Sequence, residues 1–243
     1  MERRRAWEAV AIASAYERGR PEYPSEAIGW LVGPPAGRVL ELGAGTGKLT
    51  RGLVALGHDV TAVEPAGEMR ALLETEVPAA TVLAGRAEAL PLGDSCVDTV
   101  VAAQAFHWFE HVLALREIAR VLRPGGRLGL VWNMRDDSVP WVARLESVLG
   151  PETMEHDSPL DVLTASALFS EIEQASFRYE HRVDRSRLHD LVLSRSGVAT
   201  AEPSVRDEIL ADVGSIYDDE AARAGADSLV VPYVTHCFRA VLC

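Results

Sequence analysis

The sequence is poor in cysteine and in basic residues. Its 243 residues include three cysteines, Cys96, Cys237 and Cys243, which form an odd set without C-x-x-C spacing. This pattern argues against a disulfide framework and a cysteine-rich zinc site, and it predicts a reducing, cytoplasmic compartment. The chain carries 24 Lys and Arg against 36 Asp and Glu, a net charge of −12. That balance argues against nucleic-acid binding through a general basic surface, because contacts to phosphates need clustered cations. A local basic patch is the alternative that the net charge leaves open.

Long apolar runs are absent as well. No uncharged apolar stretch approaches the roughly 20 residues that a membrane helix needs, so we expect no membrane association. The arginines at positions 3–5 precede a short apolar run, but Glu8 stands at its start and no second run follows. We therefore do not expect a signal peptide. With 48% hydrophobic and 25% charged residues, the composition is that of a folded globular protein.

Residues 37–133 alternate short β-rich runs with longer helical stretches, the pattern of parallel strands joined by crossover helices. The β-rich runs contain few polar residues, which is typical of strands buried on both faces. We predict strands at residues 38–42, 59–64, 80–84, 97–102 and 127–132, and helices at 48–56, 67–76 and 110–122. Before this region we predict helices at 7–17 and at 25–31, the second with Ser25 as N-cap. After it we predict a helix at 140–149, a loop at 150–159, and strands at 177–183 and 229–241. The stretches at 203–212 and 218–226 are acidic and amphipathic, which is typical of solvated helix faces.

A predicted strand runs directly into a glycine-rich turn, Val-Leu-Glu-Leu-Gly-Ala-Gly-Thr-Gly, at residues 39–47. Glycine is needed where the backbone takes unusual dihedral angles and where a ligand must lie against the chain. Glu64 ends the next predicted strand, 64 − 47 = 17 residues after Gly47. A nucleotide-binding fold places a carboxylate there to accept the ribose hydroxyls. Together the two features predict a nucleotide site; a plain glycine turn beside an exposed acid is the alternative.

The turn departs from the dinucleotide fingerprint, which asks for glycine at the first, third and sixth positions. Gly43 and Gly45 match, but the sixth position is Lys48 and the third glycine stands at Gly47. A pyrophosphate also favours a helix N-terminus without a nearby carboxylate, yet Glu41 precedes Gly43 by two residues. A cofactor without phosphate and with a cationic centre, such as S-adenosylmethionine (SAM), suits the turn better. An NAD(P)-dependent oxidoreductase is therefore the disfavoured alternative.

Four motifs resemble, in order, the successive motifs of class I SAM-dependent methyltransferases over residues 38–133. They are ELGAGTG at 41–47, VEP at 63–65 with Met69, AEALPL at 87–92 with VD at 97–98, and RVLRPGG at 120–126. The resemblance implies a Rossmann-like α/β fold with a seven-stranded sheet in the order 3-2-1-4-5-7-6, strand 7 antiparallel and helices on both faces. It also implies a single domain: an N-terminal helical lid at 1–35, a cofactor-binding core at 36–135, and a C-terminal part at 136–243 with strands 6 and 7 and acceptor-side insertions.

The resemblance also implies which residues bind the cofactor. They are Glu41, Gly43, Ala44, Gly45, Gly47, Glu64, Pro65, Met69, Ala87, Glu88 and Gln104. Many relatives carry Gly-Asp-Ala-Glu after strand 3, with the aspartate reaching the adenine amino group, whereas this chain has Arg86 at the aspartate position. We therefore expect the Ala87 backbone to hold the adenine, with Glu88 as the candidate side-chain partner.

Two further segments, YERGRPEYP at 16–24 and AFHWF at 105–109, resemble the branch that contains trans-aconitate methyltransferase-like enzymes. The branch implies a small-molecule acceptor, methylated on a carboxylate or hydroxyl oxygen. Tyr16, Arg20 and Tyr23 are the candidate lid over the cofactor, and ordinary N-terminal packing is the alternative.

His107 and Trp108 follow strand 4, next to the point where the strand order reverses and where open α/β sheets bind ligands. His107 is the candidate base for a hydroxyl or amine acceptor, and Trp108 is a candidate acceptor contact. Alternatively, both side chains pack beneath the following helix.

Residues 107–111 also match the H-x-x-E-H metalloprotease pattern. That chemistry needs both histidines on one helical face, whereas His107 falls at a strand-to-helix junction, so we predict no metal. A SAM-binding regulatory protein without catalysis is the remaining alternative to an enzyme.

Overall fold

The computed structural model describes residues 2–150 and 158–243, and only the backbone of residues 2–10. The helices are α1 Glu2–Gly19, α2 Ser25–Val32, α3 Lys48–Ala55, α4 Gly67–Glu76, α5 His111–Val121, α6 Pro140–Leu149, α7 Pro159–Ser166, α8 Arg185–Leu193, α9 Ser196–Ala199 and α10 Pro203–Ala224. The strands are β1 Arg38–Leu42, β2 Asp59–Val63, β3 Thr81–Leu83, β4 Val97–Ala103, β5 Leu122–Arg135, β6 Phe169–Val183 and β7 Leu229–Leu242.

All seven strands belong to one sheet in the order β3-β2-β1-β4-β5-β7-β6, with β7 antiparallel and helices flanking the sheet. The central strand β1 pairs in parallel with β2 on one side and β4 on the other, so that Val39 lies opposite both Val60 and Thr99. Four of the five residues of β1 are buried, as expected of a strand covered on both faces. The predicted fold class is confirmed.

Most predicted elements of residues 37–133 are present within one or two residues of their predicted ends, but β5 is longer than expected. Residues 123–126, which separate the predicted helix from the predicted strand, lie inside β5, where the register with β4 shifts between the Val97↔Leu122 and Thr99↔Arg127 pairs. The reason is local: Gly125 has φ +73° and absorbs the irregularity.

Outside that region the sequence pattern was less informative. Ser25 is the first residue of α2 and Pro24 occupies the N-cap, without a side-chain cap hydrogen bond, so the predicted Ser25 cap is wrong. The two acidic stretches form the single helix α10, and the strand predicted at 177–183 begins at Phe169. Helices α7, α8 and α9 were not predicted. Most of the predicted loop at 150–159 lies outside the described residues.

The chain forms two compact units, each assembled from separate segments. The glycine-loop unit comprises residues 22–133, 154–177 and 235–243. In its core, α2 and α3 pack on the central strands through Ala27, Ile28, Leu31, Leu49, Leu53, Val60, Val101 and Val131. A smaller cluster packs α4 on β2 through Ala44, Ala62, Leu73 and Val77.

The helical unit comprises residues 1–21, 134–153 and 178–234. Its core contains Trp141, Val142, Leu145, Val183, Leu188, Leu191, Val213, Ile216, Tyr217, Val231 and Tyr233. Within this unit, both side-chain oxygens of Asp190 on α8 accept hydrogen bonds from Arg18 on α1, at 2.7 and 2.8 Å. Among the helices of the described residues, none is long and apolar enough to cross a membrane.

Candidate cofactor site

The predicted cofactor residues lie in the glycine-loop unit, at the carboxyl ends of β1, β2 and β4 and in the segment after β3. Parallel strands place these ends on one edge of the sheet, on both sides of the point where the strand order reverses. Such an edge is where open α/β sheets bind their ligands.

The turn after β1 requires its glycines. Gly43, Gly45 and Gly47 have φ values of +66°, +58° and +94°, in the left-handed region that side chains disfavour. A Cβ on Gly43 would lie 2.6 Å from the Cβ of Ala105, and one on Gly47 would collide with Leu73. These three positions therefore carry no side chain, so a ligand can approach their backbone closely.

Glu64 connects this turn to the end of β2. Its Oε2 accepts a hydrogen bond from the Gly45 amide and its Oε1 accepts one from the Ala66 amide, both at 2.9 Å. The residue is only 7% exposed, and each carboxylate oxygen keeps a second lone pair for a hydroxyl donor. The predicted ribose acceptor is thus held in place before any ligand arrives.

Glu41 is buried within the same unit, with 1% exposure. Its Oε2 accepts a hydrogen bond from Thr50 Oγ1 at 2.6 Å, which ties β1 to α3. Burial raises the pKa of Glu41 to about 8, although the Thr50 hydrogen bond opposes the shift; the charge of Glu64 adds to it. At neutral pH the Glu41 carboxyl is therefore mostly uncharged, and its contact with a cofactor stays a prediction.

The segment after β3 lies against the start of α5. Glu88 Oε1 accepts a hydrogen bond from the Glu110 amide at 2.9 Å, and Oε2 accepts one from Arg86 Nε at 3.4 Å. Burial alone would raise the pKa of Glu88, but these hydrogen bonds outweigh it and hold the pKa below its usual range. Ala87 beside it is 4% exposed.

Pro65 and Met69, two further candidate cofactor residues, lie in the loop after β2 and on α4. Pro65 is exposed and Met69 is half-buried. Arg70 Nη1 donates to the carbonyls of Glu64 and Pro65 at 2.8 and 2.7 Å, so the backbone after β2 is fixed from α4.

Gln104 follows β4 in a strained conformation, with φ +54° although it is not glycine. Its backbone amide donates to the Val131 carbonyl and its side-chain Nε2 donates to the Asn133 carbonyl, both at 2.9 Å. These two bonds to β5 stabilise the strained backbone. Strain of this kind is concentrated at functional sites.

His107 and Trp108 lie on a short 3₁₀ helix, Phe106–Trp108. His107 is half-buried and its ring centroid lies 4.9 Å from that of Trp108. Trp108 is 68% exposed, so it does not pack beneath α5 as the alternative required. The buried aromatic residue there is Phe106, which stacks on His111 with ring centroids 4.6 Å apart.

The H-x-x-E-H pattern is split between two elements. His107 belongs to the 3₁₀ helix, whereas Glu110 is the N-cap of α5 and accepts from the Leu113 amide. His111 begins α5, and its Nε2 lies 3.2 Å from the Phe106 carbonyl. In the part of the chain that the structure describes, no three His, Cys, Asp or Glu side chains are grouped to hold a metal.

The candidate lid residues fall in both units. Tyr23 packs against the core of the glycine-loop unit, which agrees with the packing alternative for this residue. In the helical unit, the Arg20 guanidinium lies 5.5 Å from the centroid of the Tyr16 ring, and Arg20 Nε donates to Ser194 Oγ at 2.8 Å. A lid role for Tyr16, Arg20 and Tyr23 stays a prediction.

Three residues of this region were missed from the sequence: Glu22, Thr50 and Asn133. Glu22 Oε1 accepts from Lys48 Nζ at 3.1 Å and from Arg51 Nη1 at 2.6 Å, and its carbonyl accepts from Asn133 Nδ2 at 3.0 Å. The one available signal was Lys48 itself, because a cation in the first turn of a helix calls for a compensating acid.

The sheet order, the bare glycine turn after β1 and the fixed carboxylate that ends β2 define a class of enzyme. It is that of the SAM-dependent methyltransferases. Residues 40–130 match the methyltransferase domain family, and the chain belongs to that family.

Curated methyltransferases are similar to this chain over different shares of its length. An uncharacterized methyltransferase of Mycobacterium tuberculosis (strain H37Rv) is 46% identical over 232 residues, which cover 96% of this chain and 94% of the relative. The malonyl-[acyl-carrier protein] O-methyltransferase of Methylococcus capsulatus is 44% identical over 103 residues, covering 40% of this chain and 38% of the relative.

A solved structure gives the fold alone. Phosphoethanolamine N-methyltransferase 2 of Haemonchus contortus, in complex with phosphomonomethylethanolamine and S-adenosylhomocysteine, has a TM-score of 0.56 at 16% identity. The match covers 95% of this chain and 56% of that chain.

Proposed function

We propose that this protein transfers the methyl group of SAM to a small-molecule acceptor, at a carboxylate or hydroxyl oxygen. The observation that carries the proposal is the Glu64 carboxylate, which two backbone amides hold at the end of β2 with lone pairs left for ribose hydroxyls. A carboxylate fixed in this way needs no rearrangement on binding.

The residues around Glu64 fit the rest of the cofactor. The left-handed φ values of Gly43, Gly45 and Gly47, and the closeness of Ala105 to Gly43, keep side chains off these three positions, so the turn suits the methionine part of SAM. Pro65, Met69, Ala87 and Glu88 would hold the adenine, with Gln104 and Glu41 completing the site. S-adenosylhomocysteine in the solved methyltransferase of the same fold supports this choice of cofactor.

When bound, SAM would supply an electrophilic methyl group on a sulfonium for in-line transfer to an acceptor oxygen. The protein's part is to align the acceptor and to exclude water. For a hydroxyl acceptor, His107 would take the proton; its half-buried ring lies on the loop that follows β4. A carboxylate acceptor carries no proton, so that His107 would then bind the acid rather than act as a base.

An oxygen acceptor is supported by the partial likeness to an O-methyltransferase that acts on malonyl-[acyl-carrier protein], and by the motif resemblance of residues 16–24 and 105–109. Against an acidic acceptor stands the net charge of −12, whose field repels anions. Local cations such as Arg20 would have to overcome it. The acceptor class is therefore the first thing to measure.

The test combines binding and turnover. Isothermal calorimetry of the purified protein with SAM, S-adenosylhomocysteine and NAD(P) is expected to give binding of the first two only. A screen with methyl-labelled SAM over small acids, phenols and amines then identifies the acceptor. Binding of NAD(P) without SAM would overturn the proposal, and SAM binding without turnover across the panel would favour the regulatory alternative.

A further inference from the structure

Glu22 forms a charged cluster with the start of α3, directly after the glycine turn. Its Oε1 lies 3.1 Å from Lys48 Nζ and 2.6 Å from Arg51 Nη1. Arg51 also reaches Glu76 on α4, with Nη2 3.5 Å from Oε2. The carboxylate of Glu22 therefore forms ion pairs with two cations on the first turn of α3, Lys48 and Arg51.

Lys48 needs this acid for two reasons. Its side chain is only 10% exposed, and a buried ammonium is costly unless it is paired. In addition, Lys48 is the first residue of α3, where the partial positive charge of the helix N-terminus repels a cation. Glu22 offsets both effects, because it places a negative charge at hydrogen-bonding distance from the ammonium.

The backbone of Glu22 is held as well. Its carbonyl accepts from Asn133 Nδ2 at 3.0 Å, and Asn133 Oδ1 accepts from Thr235 Oγ1 at 2.6 Å. Asn133 and Thr235 are 2% and 0% exposed. The acid is therefore fixed through its carbonyl to the end of β5 and through its carboxylate to α3.

We propose that Glu22 is a positioning residue that cancels the positive charge of Lys48 beside the glycine turn, so that the turn accepts a cofactor with net positive charge. The inference rests on SAM as the cofactor. With a sulfonium, an ammonium and one carboxylate, SAM carries one net positive charge, whereas S-adenosylhomocysteine, which lacks the sulfonium, carries none. A charge effect at the turn must therefore act differently on the two ligands.

The experiment measures the ratio of the two dissociation constants, SAM over S-adenosylhomocysteine, by calorimetry at low and high salt. Glu22→Gln is expected to raise this ratio about three- to tenfold at low ionic strength and less at high salt, because the positive charges of Lys48 and Arg51 lose the compensation that Glu22 gives, repel SAM more strongly, and are screened by salt. Lys48→Met with Glu22 intact is expected to lower the ratio, and Glu22→Gln with Lys48→Met is expected to return it toward the wild-type value. Glu22→Asp keeps the negative charge, so its ratio should lie close to that of the wild type.

Glu26→Gln is the matched control, since Glu26 is exposed in the first turn of α2 and should leave the ratio unchanged. Equal weakening of both ligands by Glu22→Gln would mean that Glu22 only supports the fold, and it would overturn the inference. If Glu22→Gln does not fold, an unchanged ratio in Lys48→Met overturns it instead. Failure of the wild-type protein to bind either ligand would contradict the proposed cofactor rather than this role of Glu22.

Discussion

The carboxylate of Glu64 accepts a hydrogen bond from the amide of Gly45, with 2.9 Å between Oε2 and N. This bond joins the loop after β2 to the glycine turn after β1, across 19 positions of sequence. A second bond from the Ala66 amide fixes the other oxygen. The residue proposed to bind the ribose is therefore also the residue that sets the position of the turn.

Replacement of Glu64 by glutamine is expected to weaken SAM binding. The glutamine amide is uncharged and offers only one oxygen, so one of the two backbone amides and one ribose hydroxyl lose their acceptor, and we expect the dissociation constant to rise about 10- to 100-fold. Calorimetry measures the change. Glu74→Gln, at an exposed position of α4, is the control and should bind SAM as the wild type does. Unchanged affinity in Glu64→Gln would remove Glu64 from the site.

Gly43 and Gly57 separate two effects of adding a methyl group. Both have positive φ, +66° and +86°, but a Cβ on Gly43 meets Ala105 whereas one on Gly57 meets nothing within 4 Å. Gly57→Ala should therefore lower the free energy of unfolding by about 1–2 kcal/mol, from the backbone conformation alone. Gly43→Ala should lower it by a further 1–3 kcal/mol or so, because of overpacking. Urea unfolding measures both, and equal losses would show that the turn can yield at Gly43.

Glu41 should make stability depend on pH. Burial raises its pKa from 4.5 to about 8. Between these values the unfolded chain releases the proton and the folded chain keeps it, so the free energy of unfolding falls as the pH rises, and it levels off above about pH 8. Glu41→Gln keeps an acceptor for Thr50 and removes this dependence. Between about pH 5 and pH 8.5, the free energy of unfolding of Glu41→Gln should therefore rise relative to that of the wild type by on the order of 3–5 kcal/mol.

The measurement for Glu41 is urea unfolding of both proteins across this pH range. Glu74→Gln serves as the control and should follow the wild-type curve. Parallel curves for Glu41→Gln and the wild type would mean that Glu41 is ionised in the folded protein.

His107→Ala tests the proposed base. With a hydroxyl acceptor from the methyl-transfer screen, kcat should fall about 100-fold or more, while the dissociation constant for SAM stays unchanged. His189→Ala, at an exposed position of α8, controls for the loss of an imidazole elsewhere. An unchanged kcat in His107→Ala would leave this side chain with a packing role only.

Sequence reasoning worked best where the signal is local. β1 and the helices α4 and α6 begin and end where they were predicted, because hydrophobic periodicity and the glycine and proline positions act within a few residues. Sequence reasoning was weaker beyond residue 134. The two acidic stretches form the single helix α10 because Val213, Ile216 and Tyr217 pack in the core of the helical unit. The local sequence pattern does not show that packing.

The sequence by itself determined the fold class and the places of the glycine turn at residues 43–47 and of the acid that follows β2, because these features are specified by neighbouring residues. Only the tertiary structure decided what the charged side chains do. Lys48 meets Glu22 across 26 positions, and Asn133 reaches the Glu22 carbonyl across 111. The charge state of Glu41 likewise depends on its burial where β1 packs against α3. Ionisation and pairing depend on what surrounds a group in space, and only the folded chain determines those surroundings.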